Sequence, residues 1–321
     1  MKTAVVLFNL GGPDSLKAIE PFLYNLFRDP DIVKLPFGQK LFAKIISNRR
    51  APKVAKSYKL IGGKSPINGW TEIQRKMLEE KLRKNYSDIS VFTAMRYWHP
   101  LIESVVEKIK KKNFSKIILL PLYPHWSIST TGSSFNEWNR YFNKTDEQVF
   151  KVESYQTNLL YIAALNERIN QALLKFPKQI RKEVQLVFSA HGTPLRMVKS
   201  GDPYSNHINE TISAVMKNRN YSHKHHLCFQ SKVGPVKWLT PATDTMLIDL
   251  AKDGKKNLLI IPISFVSDHL ETSFELDIEY RHVANENNIE NYIVMEGLND
   301  SELFISALYD EVKKIIEKNN G

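Results

Sequence analysis

The sequence predicts an α/β protein built from two similar doubly wound, Rossmann-like units, each with a four-stranded parallel sheet. Two observations carry this expectation. Short apolar runs alternate with amphipathic helical patterns, as a parallel sheet covered by helices on both faces requires. The order of those runs also repeats: KIILLP at 116–121, followed by Leu-Tyr-Pro, resembles KNLLIIP at 256–262, followed by Ile-Ser-Phe, at an offset of about 141 residues. FNLGGP at 8–13 echoes FSAHGTP at 188–194 in the same way.

Taken in order, strands are expected near 3–9, 90–95, 116–122 and 149–155, which make a first unit over residues 1–155. Strands near 184–190, 225–231, 257–264 and 291–297 make a second unit over 156–321, with a terminal helix near 302–319 that packs back on the first. Between its first two strands the first unit spends about 86 residues and the second about 41, so the first unit holds an insertion, placed near 25–70. From Lys34 to Lys64 that insertion has nine Lys or Arg and no acid. Phe37, Leu41, Phe42, Ile45 and Ile46 fall at spacings that form one apolar helix face. A basic amphipathic segment of this kind suits a membrane surface or the lid of an anionic ligand's pocket.

Bulk composition narrows the function classes. With 321 residues, 42% hydrophobic and 25% charged, the chain is long enough for two soluble domains of ordinary size. No apolar run approaches the roughly 18 residues that span a bilayer, and AVVLFNL is too short and too soon met by Gly11-Gly12-Pro13 to be a secretion signal. A cytoplasmic protein is expected. Cys228 is the single cysteine, which excludes an intrachain disulfide and an iron–sulfur cluster held by four cysteines of this chain. The net charge of +11 asks for an anionic partner. Nucleic acid is disfavoured, because the basic stretch is amphipathic and no nucleic-acid motif accompanies it.

The chemistry gathers at strand ends, where open α/β sheets bind ligands. SFVSDHLETSFELDIEY at 264–280 follows an apolar run, and on an α-helix with Glu271 at zero, Glu275 falls near about 40°, Asp268 near about 60° and Glu279 near about 80°. One reading is a cation or proton path along four carboxylates. The other is a surface stripe in which Asp268 caps the helix and Glu271 completes a capping box. His191 follows the strand ending at Phe188, and a neutral imidazole facing carboxylates accepts protons or ligates a divalent metal near pH 7. Ser189 lacks a G-x-S-x-G elbow, Gly11-Gly12 is not a dinucleotide fingerprint, and His223-Lys-His225-His226 reads as a polar loop. Aromatic residues at Tyr97-Trp98, Tyr123 and Trp126 beside a basic insertion suit a large flat apolar ligand with anionic edges, such as a tetrapyrrole.

Seven segments in one order complete the pattern: LGGPDS (10–15), RRAPKVAKSYKLIGGKSPI (49–67), AMRYWHP (94–100), YPHWSISTTGSS (123–134), FSAHGTP (188–194), QSKVGPVKWLTP (230–241) and the acidic segment 264–280. Over nearly its whole length the chain resembles the ferrochelatase family, and segment 230–241 resembles the branch that uses protoporphyrin IX. The resemblance implies a chelatase-like fold and insertion of Fe²⁺ into protoporphyrin IX to give protohaem, with release of two protons. It implies His191 and Glu271 as the metal-inserting pair, Glu275 and Glu279 as further metal-handling positions, and Asp268 and His269 as their support. Arg50, Tyr58 and Ser65 match positions that hold porphyrin carboxylates, and Arg96, Tyr97, Tyr123 and Trp238 match positions that line the porphyrin pocket. No cofactor beyond the substrate iron is implied, and with one cysteine no iron–sulfur cluster is expected. The apolar insertion face adds an expected peripheral contact with the inner membrane.

Overall fold

The structure, a computed structural model, describes residues 2–142, 148–231 and 236–318. The chain divides into two compact units, Met1–Tyr155 with Phe304–Gly321, and Gln156–Leu303. In the first, β1 (Thr3–Asn9) is followed by α1 (Ile19–Phe27), α2 (Gln39–Leu60) and α3 (Ile67–Arg83). Then come β2 (Ile89–Met95), α4 (Ile102–Lys110), β3 (Lys116–Pro121), α5 (Ser133–Tyr141) and β4 (Val149–Lys151). The second unit runs α6 (Leu159–Leu174), β5 (Gln185–His191), α7 (Leu195–Lys199), α8 (Tyr204–Asn218), β6 (His225–Gln230) and α9 (Thr243–Lys252). It closes with β7 (Asn257–Pro262), α10 (Tyr280–Glu286) and β8 (Asn291–Val294), and α11 (Glu302–Lys318) returns the chain to the first unit.

Both sheets are parallel and share one strand order, β2-β1-β3-β4 and β6-β5-β7-β8. This is the repeated four-strand architecture expected from the sequence. The central strands are covered on both faces, which is why β1 reads TAVVLFN and buries all seven residues. The edge strands β4 and β8 are shorter than the expected 149–155 and 291–297. Their continuations leave the ladder and bond over the strand ends instead, Tyr155 N–H to Pro124 C=O and Asn299 N–H to Val266 C=O. In the first unit Phe8 meets Phe135 and Trp138 edge-on at 6.0 and 5.9 Å, each contact contributing about 1 kcal/mol beyond its buried area. The second unit packs Val187, Cys228, Leu258 and Ile260 against Leu276, Ala284 and Tyr292.

A feature the apolar periodicity did not show follows the third strand of each unit. Both chains of events there pass through a π-helix, Ile128–Gly132 in one unit and Glu271–Glu279 in the other. The i to i+5 bonding of a π-helix widens the turn, and such turns gather at functional sites.

The insertion turns part of its apolar stripe outward. Phe37, Leu41 and Ile45 are exposed, while Phe42 and Ile46 are only half-buried. The side of α2 that is buried carries Ala43, Ser47 and Tyr58, small residues and one aromatic that let it lie close along α1. Leu41 and Ile45 of α2 are thus left facing solvent, as is Phe37 just before the helix, at 89% exposure.

Candidate functional site

His191 is the last residue of β5 rather than part of the loop beyond it, so the sheet itself fixes its backbone. Its N–H donates to Ser264 Oγ at 2.9 Å. The Tyr204 hydroxyl lies 3.1 Å from the His191 carbonyl and 2.6 Å from Ser264 Oγ, closing a small ring of bonds around the strand end. Gly192 must lack a side chain, because a Cβ there would sit 2.6 Å from the Gln230 carbonyl, to which Gly192 N–H donates.

The imidazole Nδ1 stands 3.0 Å from Glu271 Oε2. An ionised carboxylate only accepts, so Nδ1 carries the hydrogen and the Nε2 lone pair is left for a substrate. Among the described residues nothing bonds that Nε2, and the ring keeps 41% exposure. A second imidazole approaches the same oxygen: His269 Nε2 is 3.7 Å from Glu271 Oε2. His269 is buried and its Nδ1 faces the Ser267 carbonyl at 3.1 Å, which fixes the hydrogen on Nδ1. Its Nε2 is buried beside that carboxylate with no hydrogen-bond partner among the described residues. Phe265 packs between the two imidazoles, 4.2 Å from the His269 ring and edge-on to His191 at 6.1 Å.

Ionisation follows from this geometry. Burial works to lower the His191 pKa, but the charge and hydrogen bond of Glu271 outweigh it and hold the ring above its ordinary 6.5. Burial likewise works to raise the Glu271 carboxyl, and the His191 charge and hydrogen bond reverse that, keeping it well below the usual carboxylate range. Glu275 goes the other way: burial, then the Glu271 charge, push it up despite donations from Ser231 N–H at 2.9 Å and Ser231 Oγ at 2.5 Å. The two neighbouring carboxyls are thus shifted in opposite directions. The Tyr280 hydroxyl also donates to Glu275, at 3.2 Å.

The acidic row therefore departs from the single arc of an α-helix. Leu276 is fully buried in the core of the unit, contributing about 2 kcal/mol. Glu271 faces His191, Glu275 faces Ser231, and Glu279 is exposed. Asp268 stands outside the helix and forms no capping box with Glu271. The helix begins after Leu270 with no side-chain cap, and Asp268 accepts from Thr272 Oγ1, Gly297 N–H and Asn299 Nδ2. Among the described residues no three His, Cys, Asp or Glu side chains form a ready metal cage. His191 and Glu271 are the close pair of the expected row, while Glu275 and Glu279 stand further along it on their own partners or in solvent. Cys228 is no ligand either, its thiol buried and pushed up to about 11.

Other expected positions lie as follows. Trp238 bridges to Pro194 beyond β5, its indole N–H buried without a partner among the described residues; residues 232–235 of the same segment lie outside the described residues. In the first unit Arg96 is buried and paired with Asp29 at 2.9 Å and Glu137 at 3.5 Å. Tyr97 is buried beside it and donates to Asp29 at 2.6 Å. Tyr123 has a buried hydroxyl, which burial holds well above the ordinary tyrosine value. Tyr58 and Ser65 are buried too, whereas Arg50 is half-buried with its guanidinium 5.5 Å from the Phe27 ring. Sequence reasoning missed Tyr204, Ser264 and Asp29 as supports. Ser264 opens the acidic segment, but no local pattern links Tyr204 to a strand end or Asp29 to an arginine 67 residues later.

Comparison with known proteins adds a consistent picture. Residues 2–315 match a family model described as Ferrochelatase. A protein named ferrochelatase from Citrifermentans bemidjiense is 45% identical over 316 residues, 97% of this chain and 98% of that one. One of the same name from Aquifex aeolicus is 46% identical, over 98% and 99% of the two chains. Among solved structures, SirB from Bacillus subtilis with Fe³⁺ superposes with a TM-score of 0.58 at 12% identity, covering 98% of this chain and 95% of that one. CbiX, described as the terminal enzyme of sirohaem biosynthesis in denitrifying bacteria, gives 0.51 at 10% identity, covering 98% and 99%. These two likenesses are of fold.

Proposed function

We propose, for a chain that belongs to the ferrochelatase family, that His191 and Glu271 are the groups at which Fe²⁺ replaces the two pyrrole protons of protoporphyrin IX. The chain is an enzyme that inserts metal into porphyrin, a lyase of haem biosynthesis. The observation that carries the reading of the site is the 3.0 Å contact between Glu271 Oε2 and His191 Nδ1, which leaves Nε2 as the exposed base.

In the reaction two N–H bonds break, two protons leave and iron enters with its charge unchanged. Neutral His191 takes a pyrrole proton at Nε2, and Glu271 stabilises the imidazolium that forms. The second pyrrole proton leaves by way of Glu275, whose carboxyl pKa is raised by burial and by the Glu271 charge, toward exposed Glu279. Two acids and an imidazole suffice as transient partners for a metal in passage, because a tight resident cage would compete with the porphyrin for the ion.

An anaerobic assay with Fe²⁺ tests the substrate choice. Protoporphyrin IX is expected to be metallated faster than coproporphyrin and much faster than sirohydrochlorin; preferential turnover of either rival would overturn the assignment. The exposed stripe of Phe37, Leu41 and Ile45 among lysines supports peripheral contact with the inner membrane, and no helix of the described residues is long and apolar enough to cross one. Flotation with anionic liposomes should fall severalfold for Phe37→Asp/Leu41→Asp, and unchanged flotation would count against this contact.

A further inference from the structure

The acidic π-helix has no side-chain N-cap, and Asp268, which precedes it, is tied to a distant loop. In the first unit the counterpart π-helix is closed locally: Ser127 accepts from Ser129 N–H, and its carbonyl accepts from Thr130 and Gly132. The repeat offset that aligns β3 with β7 carries Ser127 onto Asp268. Asp268 turns away from the helix N–H groups and is instead paired with a residue 31 positions later. Asn299 Nδ2 donates to Asp268 Oδ2 at 2.7 Å, and Asp268 N–H donates to Asn299 Oδ1 at 2.9 Å, so the two residues close a ring of bonds.

The loop after β8 is shaped around this pairing. Asn299 is buried and sits at φ +38°, a left-handed backbone that Asn tolerates better than most residues. Its N–H is fixed to the Val266 carbonyl. Gly297 N–H donates to the Asp268 carboxylate, and a Cβ on Gly297 would sit 2.9 Å from Asp268 N and 3.0 Å from Asn299 Oδ1. A bare backbone at residue 297 and an amide at residue 299 are therefore both needed. From Asp268 the restraint passes to Thr272, whose hydroxyl donates to Asp268 Oδ1 at 3.0 Å in the first turn of the π-helix, one residue beyond Glu271.

We propose that Asn299 is a positioning residue for metal insertion: by holding Asp268 it sets the start of the π-helix and keeps Glu271 at bonding distance from His191. This rests on reading His191 and Glu271 as the working pair. Misplacement of a reacting group by about 1 Å costs as much as a hundredfold in rate, so a tether acting at the start of the helix reaches the chemistry without touching substrate.

The test is a charge exchange. Asn299→Asp keeps the left-handed preference and places a carboxylate against Asp268; kcat for iron insertion is expected to fall roughly ten- to a hundredfold, with the porphyrin KM held within about twofold. The reciprocal double variant Asp268→Asn/Asn299→Asp reverses the side-chain bond, with the residue 268 amide now donating to the residue 299 carboxylate, and keeps the bond from the residue 268 N–H; it is expected to recover most of the lost kcat. If Asn299→Asp does not fold, Asn299→Gly, which removes the amide without adding charge, is measured in its place. Wild-type kcat in the single variant, or a folded double variant as slow as the single one, would overturn the proposal. His191→Ala in the same assay separates the two ideas. An inactive His191→Ala with a normal Asn299→Asp removes the tether alone, whereas a fully active His191→Ala removes the pair and the tether with it.

Discussion

Iron insertion by His191→Ala is expected to fall roughly 10²- to 10⁴-fold in kcat, the usual range for losing a positioned base. The size of the effect follows from what the ring does and what cannot replace it. Nδ1 is committed to Glu271, Nε2 is unbonded among the described residues, and the side chain is partly exposed at the end of a buried strand. His269 is no substitute, since it is buried with its Nδ1 turned to the Ser267 carbonyl. Alanine should leave the fold intact, because the strand end is held through backbone N–H and C=O by Ser264 and Tyr204 rather than by the imidazole. Steady-state anaerobic kinetics with Fe²⁺ and porphyrin check this.

Glu271→Gln is expected to change the pH dependence as well as the rate. The base works when His191 is neutral, so the rate rises with pH as the ring loses its proton, and that rise lies above 6.5 because Glu271 holds the proton on. Glutamine removes the charge and leaves burial, which favours the neutral ring, so the acid limb should move to lower pH. The plateau should fall about a hundredfold at the same time, because the imidazolium formed during proton transfer has lost its counter-charge. Single-turnover rates measured across pH 5–9 for both proteins distinguish this from a simple loss of activity. An acid limb that stays in place would separate Glu271 from the ionisation of His191.

Much of the fold was legible because each central strand is buried on both faces and so reads as an unbroken apolar run, as in TAVVLFN and NLLIIP. The doubling was legible because the third strand of each unit ends in proline at a fixed offset, Pro121 and Pro262. Three things were not. The π-helix was not legible, since the residue pattern of 271–279 fits an α-helix as well as the wider turn. Asp268 looked like a cap because D-x-x-E is a local signal, whereas its partners Gly297 and Asn299 arrive only through the fold. The burial of α2 was left open because helix spacing shows where apolar residues gather but not which side meets the domain; the buried side holds Ala43 and Ser47, and Leu41 and Ile45 are exposed. The site showed a similar division. His191 with Glu271 was anticipated, while the burial of Arg96 and Tyr97 against Asp29 needed a pairing across 67 residues that no motif encodes.

The most direct measurement is made in one cuvette with His191→Ala: porphyrin is titrated in by fluorescence, then Fe²⁺ is added anaerobically and a single turnover is followed. Porphyrin bound with near wild-type affinity and left unmetallated on the wild-type timescale is the expected result. Metallation of the bound porphyrin at the wild-type rate would show that the imidazole at the end of β5 is not the group that takes the proton.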